Sequence, residues 1–391
     1  MRIAIVSRIY RPEPSAASSF LGAVADEATS RGHDVTVVTV RPPAGLAADN
    51  PVESVRMLPV LRDRSGYVKG YLQYLSFDVP LFFRLLVLRR PDVVLMEPPP
   101  TTGLVVRMAC ALRRIPYVYD AADVWSDAAE QATGSKTVIR VLRAMERFAM
   151  QGARSLVTIS QGVMDRVRAM GVDRPMTVTG FGADTTSFLS PSETTAPTDR
   201  VFLYAGTYSP WHGADAAIDA FTKFSRSHPG YRLRFIGNGS ERELLERRTR
   251  ELGVESTVDF VETVPSEELL PELHHAVATI ATLRPGTGYE YAFTTKAYSS
   301  MAAGCPVIFA GPGPTATFLD RANGAVRAGV VCDYDADAIA EAMVVLADAP
   351  LSAGQRQALA AWTAEEHSLA AVAARVVDVV QAAATDSDRR S

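Results

Sequence analysis

The run KAYSSMAAG, residues 296–304, opens on a lysine and ends just before Cys305 and Pro306. Its spacing predicts a short helix with Lys296 in the first turn, where a positive charge opposes the helix dipole by roughly 0.3–1 kcal/mol. A phosphate bound there reverses the sign, so the lysine points to an anion site, and the small residues Ala297, Ser300, Ala302 and Ala303 suit close packing beside it. The competing reading is a lysine simply tolerated by solvent. Further loops carry glycines that would let a ligand approach the backbone: GTYSPWHG with Gly206, Thr207 and His212, GNGS with Gly237, Asn238 and Gly239, and GPGPT at 311–315. Each glycine alone is weak evidence, since tight turns use the same residues. The DYDAD stretch, 333–337, resembles a metal-binding motif in type only. It lies between a strand and a helix pattern, where Asp335 or Asp337 makes an N-cap. His274 and His275 are adjacent, point apart on a helix and have no partner spacing, so no metal site is expected.

The elements that must hold these residues follow a simple alternation. RIAIV, the helix pattern ending at Gly32, and DVTVVTV form a βαβ unit. DVVLM, a helix opened by Thr101 or Thr102, YVY, a long helix from about Lys136, and SLVTI leading through Ser160 continue it. Buried parallel strands with helical crossovers predict a doubly wound α/β sheet, with ligands at the carboxyl ends of the strands. The Ser-, Thr- and Pro-rich segment 189–200 reads as a linker, after which the alternation restarts. We therefore expect a first domain over 1–188, a second over 201–366, and a last amphipathic helix over 367–385 before a polar, disordered-looking tail.

At 391 residues and 47% hydrophobic the chain can bury two cores, because single cores stop growing near about 250–300 residues. Three cysteines, Cys110, Cys305 and Cys332, sit in apolar runs without ligand spacing and read as buried free thiols of a reducing compartment. No cleavable leader or span of some 18 apolar residues is evident. Residues 1–190 are net basic and the remainder net acidic within a total of −4, too mild for a nucleic-acid binder and weakly suggestive of an anionic acceptor or lipid surface. The stretch 65–90 mixes Tyr and Phe with Lys69, Arg84, Arg89 and Arg90, and reads either as an interfacial helix or as a buried helix pair.

Taken in order, RFIGNGSERELLE, VDFVETVPSEELLPELHHA, KAYSSMAAGCPVIFAGPG and AGVVCDYDADAIAEAM resemble the donor-binding half of the family-4 GT-B glycosyltransferases. RGHDVTVVT, DAADVWSDAAEQATG and GFGADTTSF resemble that family's N-terminal half, particularly a bacterial polysaccharide-type subgroup. The resemblance implies two doubly wound Rossmann-like domains facing across a cleft, with the nucleotide-sugar donor on the second, the hydroxyl acceptor on the first and a final helix crossing back. It also implies transfer with retention, no cofactor and no bound metal, basic groups and helix N-termini neutralising the diphosphate. Acceptors of such enzymes include cell-surface polysaccharides, glycolipids and natural products, some lipid-linked, so peripheral contact with the inner face of a membrane is compatible with a cytoplasmic enzyme.

Residue by residue the pattern departs in places. Ser299 stands where many members have a ribose-binding glutamate, and the partner position falls on Tyr291 with Glu290 beside it. Either the loop shifts and Glu290 acts, or the acidic pair is absent. Thr207 and His212 stand near the usual diphosphate-binding Arg and Lys, a role the resemblance gives here to Lys296. Backbone around Val261 would hold the base. Ala122 replaces a histidine, leaving Asp120, Asp123 and Asp127, of which Asp123 matches the subgroup's aspartate and would be catalytic together with Glu290. Ser15, Asp120 and Trp125 would line the acceptor side. A non-catalytic scaffolding partner or a sugar-nucleotide 2-epimerase are the alternatives to transfer.

Overall fold

The computed structural model describes residues 1–13, 15–43, 53–62, 71–132, 135–183, 185 and 196–388. By internal contacts they form two units, Met1–Gly182 with Leu369–Ser391, and Ala183–Ser368. The expected linker lies outside the described residues as far as 195.

The first unit contains β1 (Arg2–Val6), α1 (Ala16–Ser30), β2 (Asp34–Val40), β3 (Ser54–Leu58), α2 (Tyr71–Val87), β4 (Val93–Met96), α3 (Pro100–Arg113), β5 (Tyr117–Ala121), α4 (Trp125–Ala132), α5 (Lys136–Gly152), β6 (Ser155–Thr158), α6 (Gln161–Ala169) and β7 (Met176–Val178). Its seven strands are all parallel in the order β3-β2-β1-β4-β5-β6-β7. Every residue of β4 and β5 is buried, as expected of apolar runs covered by helices on both faces. Helix α3 starts earlier than its threonines suggested. Pro100 takes the first helical position, which needs no N–H, and the Thr102 hydroxyl instead donates to Asp78 at 2.6 Å. The described part of the 65–90 stretch is one helix, not a pair. Its inner side, Phe77, Leu81 and Leu85, is buried.

The second unit contains β8 (Val201–Ala205), α7 (Asp215–Ser227), β9 (Arg232–Ile236), α8 (Arg242–Leu252), β10 (Val258–Val261), α9 (Ser266–His275), β11 (Ala278–Thr282), α10 (Lys296–Ala302), β12 (Val307–Ala310), α11 (Pro314–Asn323), β13 (Gly329–Cys332), α12 (Ala336–Asp348) and α13 (Ala353–His367). Its six parallel strands are ordered β10-β9-β8-β11-β12-β13. As expected, Asp335 caps α12, accepting from the Asp337 and Ala338 N–H groups. Cys110 and Cys305 are buried, whereas Cys332 is only half-buried; all three are free thiols.

The chain then returns to the first unit as α14 (Leu369–Asp388), which runs helical through part of the tail expected to be disordered. Val372, Val376 and Val380 pack with Phe20, Leu21 and Val24 of α1 and with Ile3, Ile5 and Val118 of the sheet, forming a single core.

One buried cation locks the position of α10. Arg356 of α13 is fully buried and donates to three carbonyls, Gly304 at 3.0 Å, Ala276 at 3.1 Å and Leu273 at 2.8 Å. These close the ends of α9 and α10, whose last carbonyls have no helical partner. Arg356→Leu would leave three acceptors buried and unpaired, at about 1–3 kcal/mol each before relaxation. We expect a loss of about 3 kcal/mol or more in denaturant unfolding monitored for this unit, with partial recovery in Arg356→Lys.

Candidate functional site

Both sheets reverse strand order beside their first strand, between β1 and β4 and between β8 and β11. Those switch points are where open α/β sheets bind ligands.

In the second unit Lys296 is the first residue of α10, as expected, and reaches back over β8. Its Nζ donates to the Tyr204 hydroxyl at 3.1 Å and lies 4.3 Å from the centre of that ring. Its alkyl chain passes beside Gly206, where an added Cβ would come 3.4 Å from Cε. Lys296 makes no ion pair among the described residues. The residue keeps some exposure, but its ammonium end is removed from water, and this desolvation lowers its pKa to about 7.

His212 is brought to the same place. Burial, reinforced by the neighbouring Lys296 charge, pushes its pKa down to about 3, so the ring is neutral at physiological pH. Its Nδ1 is buried without a hydrogen-bond partner. A desolvated ammonium beside an unsatisfied imidazole nitrogen is a pair that an incoming anion with hydroxyl or phosphate oxygens would satisfy.

The loop glycines have a structural duty first. A Cβ on Gly237, at φ +137°, would run into the Gly206 carbonyl, and one on Gly239 into the Tyr208 backbone. Their absence lets the two loops knit together, Gly206 N–H to Ile236 at 2.8 Å and Tyr208 N–H to Asn238 at 3.1 Å. Asn238 accepts from the Gly239 N–H and donates to Glu262, and the Val261 carbonyl takes the Gly237 N–H at 3.1 Å. Thr207 stays exposed at the loop's rim.

Glu290 folds back on its own loop. Its Oε1 accepts from the Thr287 N–H at 2.8 Å and the Gly288 N–H at 3.2 Å. Burial would raise its pKa, but these and neighbouring backbone N–H groups outweigh it and hold the carboxyl below its ordinary value. Ser299 is half-buried one turn along α10 from Lys296. Two groups not singled out in the sequence brace the first loop: Arg284 binds Asp215 at 2.5 Å, and Tyr334 donates to the Gly213 carbonyl at 2.8 Å.

In the first unit the acceptor-side candidates separate. Ser15 is the N-cap of α1 and accepts from the Ser18 N–H at 3.1 Å. Trp125 opens α4, and its N–H goes to the buried Glu146 carboxylate at 2.7 Å. Asp127 is buried and held by two half-exposed arginines, Arg143 at 2.9 Å and Arg166 at 2.6 Å. Asp123 stands just after β5, its Oδ1 accepting from the Val124 N–H at 2.7 Å.

Asp120, buried at the end of β5, gains a neighbour the sequence did not reveal. Met96 pairs with Tyr119, so the next residues, Glu97 and Asp120, stand side by side, and Ser7 donates to Glu97 at 2.9 Å. Burial, with the Glu97 charge adding to it, pushes Asp120 up to about 8, and burial pushes Glu97 up to about 7 against the Ser7 hydrogen bond and Arg8. Arg8 itself is buried over the Tyr74 ring at 3.7 Å, with Nη1 unpartnered. Among the described residues no three His, Cys, Asp or Glu side chains converge to hold a metal ion.

Two family models match the chain, the glycosyl transferase 4-like domain over residues 16–182 and the glycosyl transferases group 1 domain over 186–358. In sequence it is 27% identical over 354 residues to glycogen synthase of Mycobacterium tuberculosis, covering 84% of this chain and 81% of that one. It is 32% identical over 163 residues, 40% of each chain, to the GDP-mannose-dependent alpha-(1-6)-phosphatidylinositol monomannoside mannosyltransferase of Mycolicibacterium smegmatis. In fold it is similar to sucrose-phosphate synthase from Thermosynechococcus elongatus, with TM-score 0.74, 15% identity and 97% and 98% of the two chains covered. Anabaena Alr3699/HepE, solved in complex with UDP and glucose, superposes with TM-score 0.70 at 17% identity, covering 98% and 100%.

The buried carboxyl pair makes a pH prediction. A carboxyl held protonated to about pH 8 contributes stability that is complete below the unfolded value near 4 and is lost as pH rises toward the folded one. Melting temperatures of the wild type should therefore decline across that window. The decline should be shallower in Asp120→Asn, and an identical slope in the two proteins would contradict the placement of Asp120.

Proposed function

The chain belongs to the family-4-type GT-B glycosyltransferases, and on that premise we propose how it uses its nucleotide sugar. Lys296 takes the donor diphosphate, with His212 offering a hydrogen bond from its neutral ring and the Gly206 loop admitting the phosphates to the backbone. The observation that carries this is the desolvated lysine at the β8–β11 switch point, which has no carboxylate to neutralise it among the described residues. Because a protein cation supplies the charge that an ion would otherwise bring, transfer proceeds without metal or other cofactor. Backbone near Val261 and the 237–239 loop holds the base, and Ser299 bonds the ribose more weakly than a carboxylate would.

Transfer proceeds with retention. The acceptor hydroxyl approaches on the face the diphosphate leaves, the C–O bond to phosphate breaks as the new C–O bond forms, and the departing phosphate oxygen takes the acceptor's proton. No protein nucleophile is needed, which fits a loop carboxylate, Glu290, whose Oε1 is already engaged by its own backbone. Asp123, in the loop just after β5, orients the acceptor hydroxyl. The acceptor is a hydroxyl of a cell-surface polysaccharide, glycolipid or natural product, and the enzyme works in the cytoplasm. UDP and GDP are the first nucleotides to try, being those named for Alr3699/HepE and for the mycobacterial mannosyltransferase.

Calorimetric titration with UDP, GDP and dTDP, with and without EDTA, tests the donor site. One nucleotide should bind irrespective of EDTA, and Lys296→Ala should weaken it by about 2 kcal/mol, roughly 30-fold. Because a diphosphate raises the lysine pKa, binding at pH 8 should take up protons, seen as a dependence of heat on buffer ionisation enthalpy that Lys296→Met abolishes. Binding that needs metal, or that is indifferent to Lys296, would overturn this reading. Retention is checked separately, by the anomeric configuration of the first product in proton NMR.

A further inference from the structure

Lys296 makes no ion pair among the described residues, yet its ammonium is closely placed, and the side chain that places it is Tyr204. The Tyr204 hydroxyl, at 3.1 Å, is the single acceptor that Nζ reaches among the described residues, and the ammonium lies 4.3 Å from the centre of the ring. An ammonium has three N–H donors, so two remain. A ring face and a neutral hydroxyl attract a cation without cancelling its charge. A carboxylate in that place would instead form an ion pair that an incoming diphosphate had to displace.

Tyr204 is itself firmly seated. It is fully buried, and it aligns with Phe235 on β9, which aligns with Phe260 on β10, so three rings form a row across neighbouring strands. The Tyr204 and Phe235 rings stack with centroids 5.2 Å apart, and those of Phe235 and Phe260 with centroids 4.9 Å apart. A phenylalanine would complete that row equally well, so packing does not account for the hydroxyl. The phenol oxygen lies 3.5 Å from Oγ1 of Thr282, the fully buried last residue of β11. Burial holds the phenol well above its ordinary titration range, so it keeps its proton. With the ammonium donating to the oxygen, that proton is left for Thr282. The other ionisable groups of this edge are uncharged or engaged: His212 is neutral, Asp215 is bound by Arg284 at 2.5 Å, and Tyr334 donates to the Gly213 carbonyl.

We propose that Tyr204 is the positioning residue of the donor site: its ring and its Thr282-oriented hydroxyl hold the Lys296 ammonium at the β8–β11 switch point, leaving two N–H groups for the diphosphate oxygens. This rests on the reading of Lys296 given above. Being fully buried, Tyr204 acts through the lysine, by place and by charge. An oxygen that accepts from an ammonium favours the protonated form, so its removal lets Lys296, already brought to about 7 by desolvation, fall further.

The chain has four lysines, Lys69, Lys136, Lys223 and Lys296. Carbon-13 resonances at lysine Cε in labelled protein therefore follow the ammonium directly, Lys296 being identified by its loss in Lys296→Met. Its midpoint should be about 7 in the wild type and about one pH unit lower in Tyr204→Phe. Thr282→Val, which keeps the tyrosine and removes its orienting partner, should move the midpoint the same way by less, and melting temperatures check that both variants are folded. Whichever of UDP, GDP and dTDP binds the wild type is then titrated at pH 6 and pH 8. Tyr204→Phe should bind it about twofold more weakly than the wild type at pH 6 and about tenfold more weakly at pH 8, following the fraction of charged lysine. An equal loss at both pH values, or a Lys296 midpoint unmoved in both variants, would make Tyr204 a packing residue and overturn the proposal. Binding that is lost in Lys296→Ala but unchanged in Tyr204→Phe overturns the proposal alone, whereas a wild type that binds none of the three overturns the donor reading beneath it as well.

Discussion

In a sheet whose strands all run the same way, every strand ends at the same edge, and the loops and following helices gather there whatever their distance in the chain. That constraint brings Lys296, which lies beside Gly206, close to His212 in the second unit. It also sets Ser7, Glu97 and Asp120 in adjoining register positions in the first. At both edges the groups are held in charge states that water would not choose, an ammonium weakened and carboxyls kept protonated by desolvation. Such states persist only because the surrounding framework is rigid, and Arg356 shows how: a charge with no exposure, fixed by three backbone carbonyls that terminate the flanking helices.

Much of this arrangement was legible in the residues. Apolar runs with helical patterns between them specify parallel strands, and the loops that follow those strands are then the places to look. Lys296 stood out because a cation in a helix's first turn is electrostatically misplaced. What could not be read was partnership across the sheet. Glu97 sits in MEPPP like an ordinary strand-end residue, and only the β4–β5 register gives it Asp120 as a neighbour. Likewise Asp127 looked like a third acid beside Asp123, whereas it is buried and bound by two half-exposed arginines from α5 and α6. Short elements such as the edge strand β3 and the helix α4, whose N-terminal N–H groups go to Glu146, carry little periodicity of their own and depend on distant contacts.

The glycine-rich loops show why motif and ligand contact are separate statements. Gly237 and Gly239 are required where they are because one loop backbone lies on another, with no ligand involved. Close loop packing and ligand access have the same steric demand, so a glycine pattern cannot distinguish them. Lys296 and His212 can be distinguished, because a desolvated ammonium and a buried, unpartnered imidazole nitrogen have no packing reason to meet.

The return of α14 to the first unit has a consequence for the order of assembly. Val372, Val376 and Val380 complete the core that begins at Ile3, yet the whole second unit is encoded between them. During synthesis, when domains generally fold as units in the order they emerge, the first unit must wait with an unfinished hydrophobic face while the second is translated and folds. The half of this chain made first is thus the last to close, and the face it leaves uncovered until then is the one α14 occupies, on α1, β4, β5 and β6.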